Sequence, residues 1–415
     1  MRIDLFQMER TQCMYENQVE YNLSESGVLP LKVEELLEGA EPAAAFLGLS
    51  VKYPQSNGSE TLRSRIAGWY EGAAADNVLV TNGGSKANYT TFWGLLEKGD
   101  RAAVMLPNYL QTWGLGRAYG AGSDPYRLVE RREGGGSRWA LDVDSLERAV
   151  GRKTRLVLVT NPNNPTGAVL TEAEMDAVVR AARRANAWIV ADEIYRGAEV
   201  RGPLTPTFWG RYEKVIVTSG LSKAFGLPGL RIGWIVAPPR LISRLWSYQD
   251  YTNLTPGYLS DHLAAIVMEP ARREAILERT RRIVRRNLPI LESWIHKHDD
   301  VFTYIRPQAG AIVTVKYDLP IGSVALFNRL RTERSVLITP GGHFGIGKYV
   351  RIGYGYDIDK TLAGLAHVDP VLEELRTKRA APAARRTAAR GAGAAARRPA
   401  SRLKRPRAAA GTARG

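Results

Sequence analysis

Short apolar runs alternate along the chain with segments whose apolar residues recur at helical spacing. The runs predict strands over Asn77–Val80, Ala102–Leu106, Leu156–Thr160, Trp188–Ala191, Lys214–Thr218 and Arg231–Val236. Between several of them the pattern predicts helices, for example over Ser85–Glu97 and Glu172–Ala185. Such alternation is typical of a mostly parallel sheet with helices on both faces. We therefore predict an α/β fold whose ligands gather outside the carboxyl ends of the strands.

A second pattern begins after Leu259. Arg-rich amphipathic helices are predicted over Ser260–Met268 and Ala271–Lys297, and short strands near Ile312–Lys316 and Tyr349–Ile352. This change predicts a smaller α+β domain beside the α/β body. The predicted division is an N-terminal segment (1–45) that joins the small domain, a large domain (46–260), the small domain (261–376) and a basic tail (377–415).

The predicted tail carries most of the net charge. The chain of 415 residues has a formal net charge of +16, and residues 377–415 contribute 12 Lys and Arg and no acid. The tail is rich in Ala, Arg, Pro and Gly, with Leu403 as its only large apolar side chain, so we expect it to be disordered. Nonspecific contact with nucleic acid is one interpretation of this arm, and a dispensable extension is the favoured one.

The composition outside the tail is that of an ordinary globular protein. Apolar residues make up 44% of the chain, and no run of 18 uncharged apolar residues predicts a membrane span. The first residues, MRIDLFQMERTQ, contain no apolar signal stretch, and the one cysteine, Cys13, cannot form an internal disulfide. We therefore expect a cytoplasmic protein. His296 and His298 lie in the charged segment WIHKHDD and are interpreted as solvated, so no metal site is expected.

Two loops after predicted strands present groups that could bind a polar ligand. Gly83-Gly84-Ser85 connects a strand to a helix, where glycines allow close backbone approach and the helix start offers free N–H groups. The loop NPNNPTG, which includes Asn164, follows the apolar run LVLVT and presents amide side chains at the sheet edge. A plain turn is the alternative for the first loop, and a ligand role is favoured for the second.

Two further segments carry ionisable groups. Asp192 ends the strand WIVAD and would need a cationic partner if buried, or would serve as a helix N-cap. Tyr195, three residues later, could share the same pocket. Lys223 lies in the apolar stretch SGLSKAFGLPGLR, where poor solvation lowers the pKa of an ammonium and makes the amine a better nucleophile. Arg231 ends that stretch and adds a second cation.

Together these segments supply a nucleophilic amine, an anion cradle, a buried acid, and hydroxyl and amide donors. That set matches an aldehyde cofactor with a phosphate, a phenolic oxygen and a ring nitrogen. The motifs NPNNPTG, DEIYRG and SKAFGLPGLRIGW, in this order, closely resemble those of the class I/II aminotransferases among the fold-type I pyridoxal-phosphate enzymes. The resemblance covers roughly Val51 to Gly353 and implies an aspartate-aminotransferase-like fold with pyridoxal 5′-phosphate as the cofactor.

The resemblance implies a role for each matching residue. Lys223 would form a Schiff base with the cofactor and shuttle the α-proton, and Asp192 would pair with the pyridine nitrogen. Asn164 and Tyr195 would contact the phenolic oxygen, and Tyr109 would stack on the ring. Relatives often carry a hydroxyl residue where this chain has Gly220, so either neighbouring serine could make that phosphate contact. The residues implied around the phosphate are Gly83, Gly84, Ser85, Ser219, Ser222 and Arg231.

Three more residues are implied at the substrate and at a subunit boundary. Arg351, in KYVRIGYG, would hold the substrate α-carboxylate as a bidentate pair. Tyr53, in KYPQSNGSETLR, would reach the phosphate of a partner subunit, which implies a homodimer. Glu25 lies in LSESGV, where relatives often show Leu-Gly-x-Gly, and could lie near the substrate side chain. A loop carboxylate facing water is an equal alternative for Glu25.

Three functions are compatible with these residues. The leading one is transfer of the amino group of an L-amino acid to a 2-oxo acid through Lys223. The second is elimination and cyclisation of a hydroxylated arginine-type amino acid, because SESGV and SNG…LR are similar to segments of capreomycidine-synthase-like members. The third, a nucleic-acid or transcription-linked module that senses the cofactor, ranks last because the N-terminus offers no helix-turn-helix of sufficient length.

Overall fold

The computed structural model describes residues 3–395, and their side chains as far as residue 379. The strands in this range are β1 (Tyr21–Asn22), β2 (Val78–Thr81), β3 (Arg101–Leu106), β4 (Gly122–Glu133), β5 (Gly136–Leu141), β6 (Thr154–Thr160), β7 (Trp188–Asp192), β8 (Val215–Gly220), β9 (Gly233–Val236), β10 (Phe302–Tyr304), β11 (Ile312–Tyr317), β12 (Val336–Leu337), β13 (Thr339–Pro340) and β14 (Tyr349–Gly353). The helices are α1 (Gln7–Tyr15), α2 (Val33–Leu37), α3 (Ala43–Leu47), α4 (Glu60–Ala67), α5 (Gly84–Leu95), α6 (Gln111–Ala118), α7 (Val143–Ala149), α8 (Glu172–Arg184), α9 (Pro239–Gln249), α10 (Tyr258–Val267), α11 (Pro270–His296), α12 (Ser323–Arg334) and α13 (Ile358–Ala395).

A sheet of eight strands, within the described residues, forms the centre of the large domain. Its order is β2-β9-β8-β7-β6-β3-β4-β5, and the neighbours from β8 through to β4 run parallel. β9 pairs antiparallel with both β2 and β8, and β5 returns antiparallel along the second half of β4. The predicted α/β class with a mostly parallel sheet is therefore confirmed.

Both faces of this sheet are buried, which explains why its strands are apolar runs. Along β2, Val78 and Val80 contact one apolar cluster while Leu79 contacts the cluster on the opposite face. The first cluster includes Val178 of α8, and the second includes Leu245 of α9. Helices on both faces are the usual way to cover a parallel sheet, because each strand then has no solvated side.

A smaller antiparallel sheet with the order β10-β11-β14-β13 lies in the region predicted to be the small domain. Its apolar core joins Val313 and Ile352 to Leu288 of α11 and Leu365 of α13. The N-terminal segment lies against this domain, because β1 pairs parallel with β12 and the N–H of Gly353 donates to the Leu23 carbonyl at 2.8 Å. That contact places residues of the N-terminal segment beside β14.

The strands and helices predicted from the sequence begin and end within two residues of those observed. The β4–β5 hairpin was not predicted, because its turn ERREGGGSRW is charged and carries no apolar run. Helix α13 continues from Ile358 to Ala395 and so enters the segment expected to be a disordered tail. Ala and Arg, which dominate that segment, are strong helix formers. The rest of that expectation, residues 396–415, lies outside the described residues.

One interpretation from the sequence is wrong. His298 is 6% exposed, and its two ring nitrogens lie 3.1 Å from Asp369 Oδ1 and 2.9 Å from Arg376 Nη2. Its ring also packs edge-on against Trp294, with centroids 5.0 Å apart. The charged neighbours of His298 in the sequence suggest a solvated position. The ring is nevertheless buried, because α13 packs against the chain directly after α11. His296 is exposed, as expected. No helix within residues 3–395 is long and apolar enough to cross a membrane.

We expect Gly353→Ala to destabilise the junction between the N-terminal segment and the small domain. A methyl group at Gly353 would overlap the carbonyl oxygen of Glu25, and overpacking of this kind costs about 1–3 kcal/mol. The midpoint of thermal unfolding should therefore fall. Gly347→Ala is the control, because a methyl group there meets nothing within 4 Å. Equal midpoints for the two variants would contradict the close packing.

Candidate functional site

The carboxyl ends of the parallel strands border a cavity of about 540 Å³. Tyr109 follows β3, Asn164 follows β6, Asp192 ends β7 and Lys223 follows β8, and all four line this cavity. Arg231 also lines it, because it precedes β9, which runs antiparallel to β8. Residues that are distant in the sequence therefore meet at one edge of the sheet, where open α/β folds place their ligands.

Lys223 contributes a desolvated amine to the cavity wall. Burial is the main cause that lowers its pKa below the ordinary lysine value, and the guanidinium groups of Arg351 and Arg231 lower it further. The carboxylates of Glu25 and Glu9 act in the opposite direction without reversing the shift. The neutral form of this amine is thus more populated than that of a surface lysine, which favours nucleophilic and proton-transfer chemistry.

Asp192 is oriented by a short chain of polar side chains. Asn88 Nδ2 donates to Asp192 Oδ2 at 3.0 Å, and Thr218 Oγ1 donates to Asn88 Oδ1 at 2.7 Å. The N–H of Ile194 donates to Asp192 Oδ1 at 3.1 Å. Burial raises the pKa of Asp192, although both donors oppose this. Among residues 3–379 it has no Lys, Arg or His nitrogen within 4.0 Å, so the site suits a cationic ligand group.

Arg351 and Asn164 form a hydrogen-bonded pair beside the cavity. Arg351 Nη1 donates to Asn164 Oδ1 at 3.0 Å, and Nη2 donates to the Ser24 carbonyl at 2.6 Å and to Thr339 Oγ1 at 3.1 Å. The Arg351 side chain is buried, and burial lowers its pKa. Its Nε has no hydrogen-bond partner among the described residues. A buried guanidinium with a free donor is suited to a carboxylate.

The hydroxyl of Tyr195 is a second buried group that is left without a partner. Tyr195 is 2% exposed, and its hydroxyl accepts and donates no hydrogen bond within the described part of the chain. Burial raises the pKa of this phenol to about 12. Because Tyr195 lines the same cavity as Lys223, its hydroxyl is available to a ligand oxygen there.

The turn between β2 and α5 forms an anion cradle. Gly83 has φ +90°, and a side chain there would collide with Arg231, since an added Cβ would lie 2.5 Å from Nη2. Arg231 Nη1 donates to Ser222 Oγ at 3.3 Å. Gly84 and Ser85 begin helix α5 and line the cavity. The free N–H groups of a helix start, a hydroxyl and a guanidinium therefore converge, as phosphate binding requires.

Three residues implied at the phosphate do not line the cavity: Gly83, Ser219 and Tyr53. Ser219 is buried, and its hydroxyl donates to the Glu193 carbonyl at 3.2 Å. The expectation for Ser219 is therefore corrected: of the two serines, only Ser222 reaches the cavity wall. Tyr53 lies on the surface of the chain with 81% of its area exposed.

Only one of the three asparagines in NPNNPTG faces the cavity. Asn161 Oδ1 accepts the N–H of Leu170 at 2.9 Å, and Asn163 Oδ1 accepts the hydroxyl of Thr166 at 2.7 Å. These two amides brace the loop, and Asn164 is the one that lines the cavity.

Helix α1 covers one side of the cavity, and the motifs gave no indication of it. Tyr109 donates its hydroxyl proton to Glu9 Oε1 at 2.8 Å, and Gln12 Nε2 donates to Ser24 Oγ at 3.2 Å. The spacing of the lining residues is the signal that could have found them, because they recur on one helical face. These residues are Met8, Glu9, Gln12, Cys13 and Glu16. Asn88 was also missed, although a polar residue on a buried helix face is itself a signal.

Comparisons by sequence and by structure both relate this chain to enzymes of one family. The model of the family "Aminotransferase class I and II" matches residues 21–367. Capreomycidine synthase from Streptomyces vinaceus is 30% identical over 322 residues, which cover 78% of this chain and 80% of that protein. A PLP-dependent aminotransferase from Streptococcus suis has a TM-score of 0.82 at 29% identity, covering 90% of this chain and 99% of its own. The PLP-dependent cyclase OrfR has a TM-score of 0.81 at 27% identity, covering 90% and 98%.

These similarities confirm the fold and the cofactor, pyridoxal 5′-phosphate, that the motifs implied. An aminotransferase and a cyclase superpose on this chain almost equally well, so the fold does not distinguish their reactions. The chain belongs to the aminotransferase class I and II family.

Proposed function

We propose that this protein is an aminotransferase that moves the amino group of an L-amino acid to a 2-oxo acid. The observation that carries the proposal is the meeting of three groups at one cavity edge: the Lys223 amine, the Asp192 carboxylate and the Asn164 amide, which accepts a hydrogen bond from Arg351 behind it. When bound, pyridoxal phosphate supplies an aldehyde and an electron-withdrawing ring. The protein must then hold that group, fix the amino acid beside Lys223 and move one proton.

The cavity fits this cofactor on two observations. The buried Asp192 carboxylate has no cationic partner among residues 3–379, so it could pair with a protonated ring nitrogen. The buried Tyr195 hydroxyl has no partner in the same part of the chain, so it could bind the phenolic oxygen. Arg231, with the start of α5 and Ser222, would hold the phosphate. Tyr109 would pack against the ring.

The chain's own groups can carry out the proton transfer. Arg351 would bind the substrate α-carboxylate through its free Nε, and the hydrogen bond from its Nη1 to Asn164 fixes the guanidinium plane. The substrate α-carbon then lies beside Lys223. Because burial lowers the pKa of Lys223, its Nζ can accept the α-proton more readily than the amine of a surface lysine and return it at a neighbouring carbon. Helix α1 would limit the access of water to this step.

The reaction is tested by adding a panel of L-amino acids, with and without 2-oxo acids, to purified holoenzyme. We expect at least one donor to yield its 2-oxo acid together with one equivalent of a new amino acid from the acceptor, identified by mass spectrometry. Lys223→Ala should lose this activity while retaining its fold. A product that keeps its amino group and loses water, without dependence on a 2-oxo acid, would contradict transamination.

Elimination and cyclisation of a hydroxylated arginine-type amino acid is the second candidate. Two observations favour it: the 30% identity to capreomycidine synthase over 322 residues, and the position of Glu25 in the cavity wall. The same panel separates the two reactions, since cyclisation would leave the nitrogen on the product.

We expect Asp192→Asn to slow turnover strongly. The variant leaves a buried ring cation without its carboxylate, and breaking a buried ion pair costs about 3–5 kcal/mol. At 1.36 kcal/mol per tenfold, kcat should fall by about 100-fold or more. Asp144→Asn, at an exposed position of α7, is the control and should be neutral. An Asp192→Asn enzyme with the wild-type kcat would remove the proposed role of this carboxylate.

A homodimer is part of the proposal, with Tyr53 reaching the partner's phosphate site. Four large apolar side chains are strongly exposed to solvent in the single chain: Leu47 (81%), Val51 (78%), Tyr53 (81%) and Tyr251 (82%). Exposed apolar surface of this kind is typical of a protein–protein interface. We expect sedimentation equilibrium to give twice the chain mass of 45.8 kDa. Tyr53→Phe should keep the dimer and weaken cofactor retention. A monomer that retains full activity would contradict this arrangement.

A further inference from the structure

We propose that the cavity selects amino acids with a positively charged side chain, through an acidic wall formed by Glu9, Glu16 and Glu25. The inference rests on the proposed function, because it assigns the side-chain end of the same amino-acid site. It concerns recognition only, and so it holds for transamination and for cyclisation alike.

The three glutamates come from two separate elements that meet at one cavity. Glu9 lies in α1, Glu16 directly follows it, and Glu25 lies in the segment after β1. All three line the cavity that contains Lys223, and each is half-buried. The acidic wall is a local feature, since the chain as a whole carries a net charge of +16.

The wall forms no ion pair at close range with the part of the chain that the structure describes, although Lys223 lies in the same cavity and attracts Glu25 and Glu9. Among residues 3–379, none of the three carboxylates has a Lys, Arg or His nitrogen within 4.0 Å. Glu9 accepts the hydroxyl proton of Tyr109 at 2.8 Å, whereas the carboxylates of Glu16 and Glu25 make no hydrogen bond in that range. Burial raises the pKa of Glu16, repulsion from Glu25 and Glu9 raises it further, and the attraction of Lys223 opposes this without reversing it. A bound cation would relieve this repulsion.

The wall lies beside the residues proposed to bind the amino acid. The Ser24 carbonyl accepts a hydrogen bond from Arg351 Nη2 at 2.6 Å, and Glu25 is the next residue along the chain. An amino acid with its α-carboxylate at Arg351 and its amine beside Lys223 would therefore share the cavity with the Glu25 carboxylate. The unpartnered hydroxyl of Tyr195, 2% exposed, points independently to a ligand in the same cavity.

The negative charges of this wall predict an order of preference among amino-acid substrates. A guanidinium or ammonium side chain would form charge-assisted hydrogen bonds with Glu16 and Glu25. A neutral side chain of the same shape would leave both carboxylates unbalanced. Aspartate and glutamate would add a fourth carboxylate, so we expect them to be the poorest substrates.

The test measures binding with compounds that cannot react. The 2-hydroxy analogues of arginine and citrulline keep the carboxylate and the side chain but lack the amine, and they differ only in side-chain charge. Titration calorimetry with purified holoenzyme should show the arginine analogue binding about tenfold or more tightly than the citrulline analogue. The double variant Glu16→Gln, Glu25→Gln should reduce this ratio to about twofold or less. Glu20→Gln, between the two positions and outside the cavity, should keep the wild-type ratio.

Equal affinities for the two analogues in the wild-type protein would overturn the inference. So would a preference for the arginine analogue that survives in the double variant, provided that its cofactor absorbance and melting temperature match the wild type. These outcomes are separable from failure of the proposed function. If the holoenzyme converts neutral amino acids to 2-oxo acids but shows no charge preference, only the inference about the acidic wall is contradicted. If the holoenzyme binds the arginine analogue selectively but forms no 2-oxo acid, only the proposed transaminase reaction is contradicted.

Discussion

The amine of Lys223 lies where the chain can neither solvate it fully nor pair it fully with an acid. Burial and two guanidinium groups lower its pKa, while Glu25 and Glu9 stabilise its charged form. This balance keeps the amine titratable in a cavity that also contains Asp192, whose own pKa is raised by burial. An amine and an acid of this kind, not in contact with each other, leave room for a ligand that carries an electrophilic carbon at one end and a basic nitrogen at the other. The rest of the structure maintains that separation.

The sheet keeps Lys223 and Asp192 apart but in the same cavity, because its parallel strands end at a common edge. β7 presents Asp192 and β8 leads into Lys223, and these strands are neighbours in the parallel part of the sheet. The β2–α5 turn then borders the end proposed to hold the phosphate, where Gly83 leaves space for the Arg231 guanidinium. The N-terminal segment lines another side of the cavity, and Arg351 of β14 connects this segment to the NPNNPTG loop by hydrogen bonds to Ser24 and Asn164. The cavity is thus lined by loops at one edge of the eight-stranded sheet and by the N-terminal segment.

Much of this arrangement could be predicted from the sequence, for reasons that particular residues make clear. The apolar strands and the residues directly after them are local features, so Asn164, Asp192 and Lys223 were found from the runs that precede them. Ser219 was misplaced because whether a hydroxyl faces the ligand or a carbonyl such as that of Glu193 depends on the exact end of β8. His298 was misread because its burial comes from α13, a distant part of the chain. The helical spacing in α1 and the polar Asn88 on a buried helix face are local signals, but only tertiary packing shows that both reach this cavity.

The central claim is that residue 223 carries the cofactor, and borohydride reduction tests it most directly. Purified protein reconstituted with pyridoxal phosphate is reduced, digested and analysed by mass spectrometry. The account predicts one pyridoxyl group attached to the Lys223 side chain, in the peptide that contains SKAFG. A modification that lies elsewhere in wild-type protein, or that persists unchanged in Lys223→Arg, would contradict it.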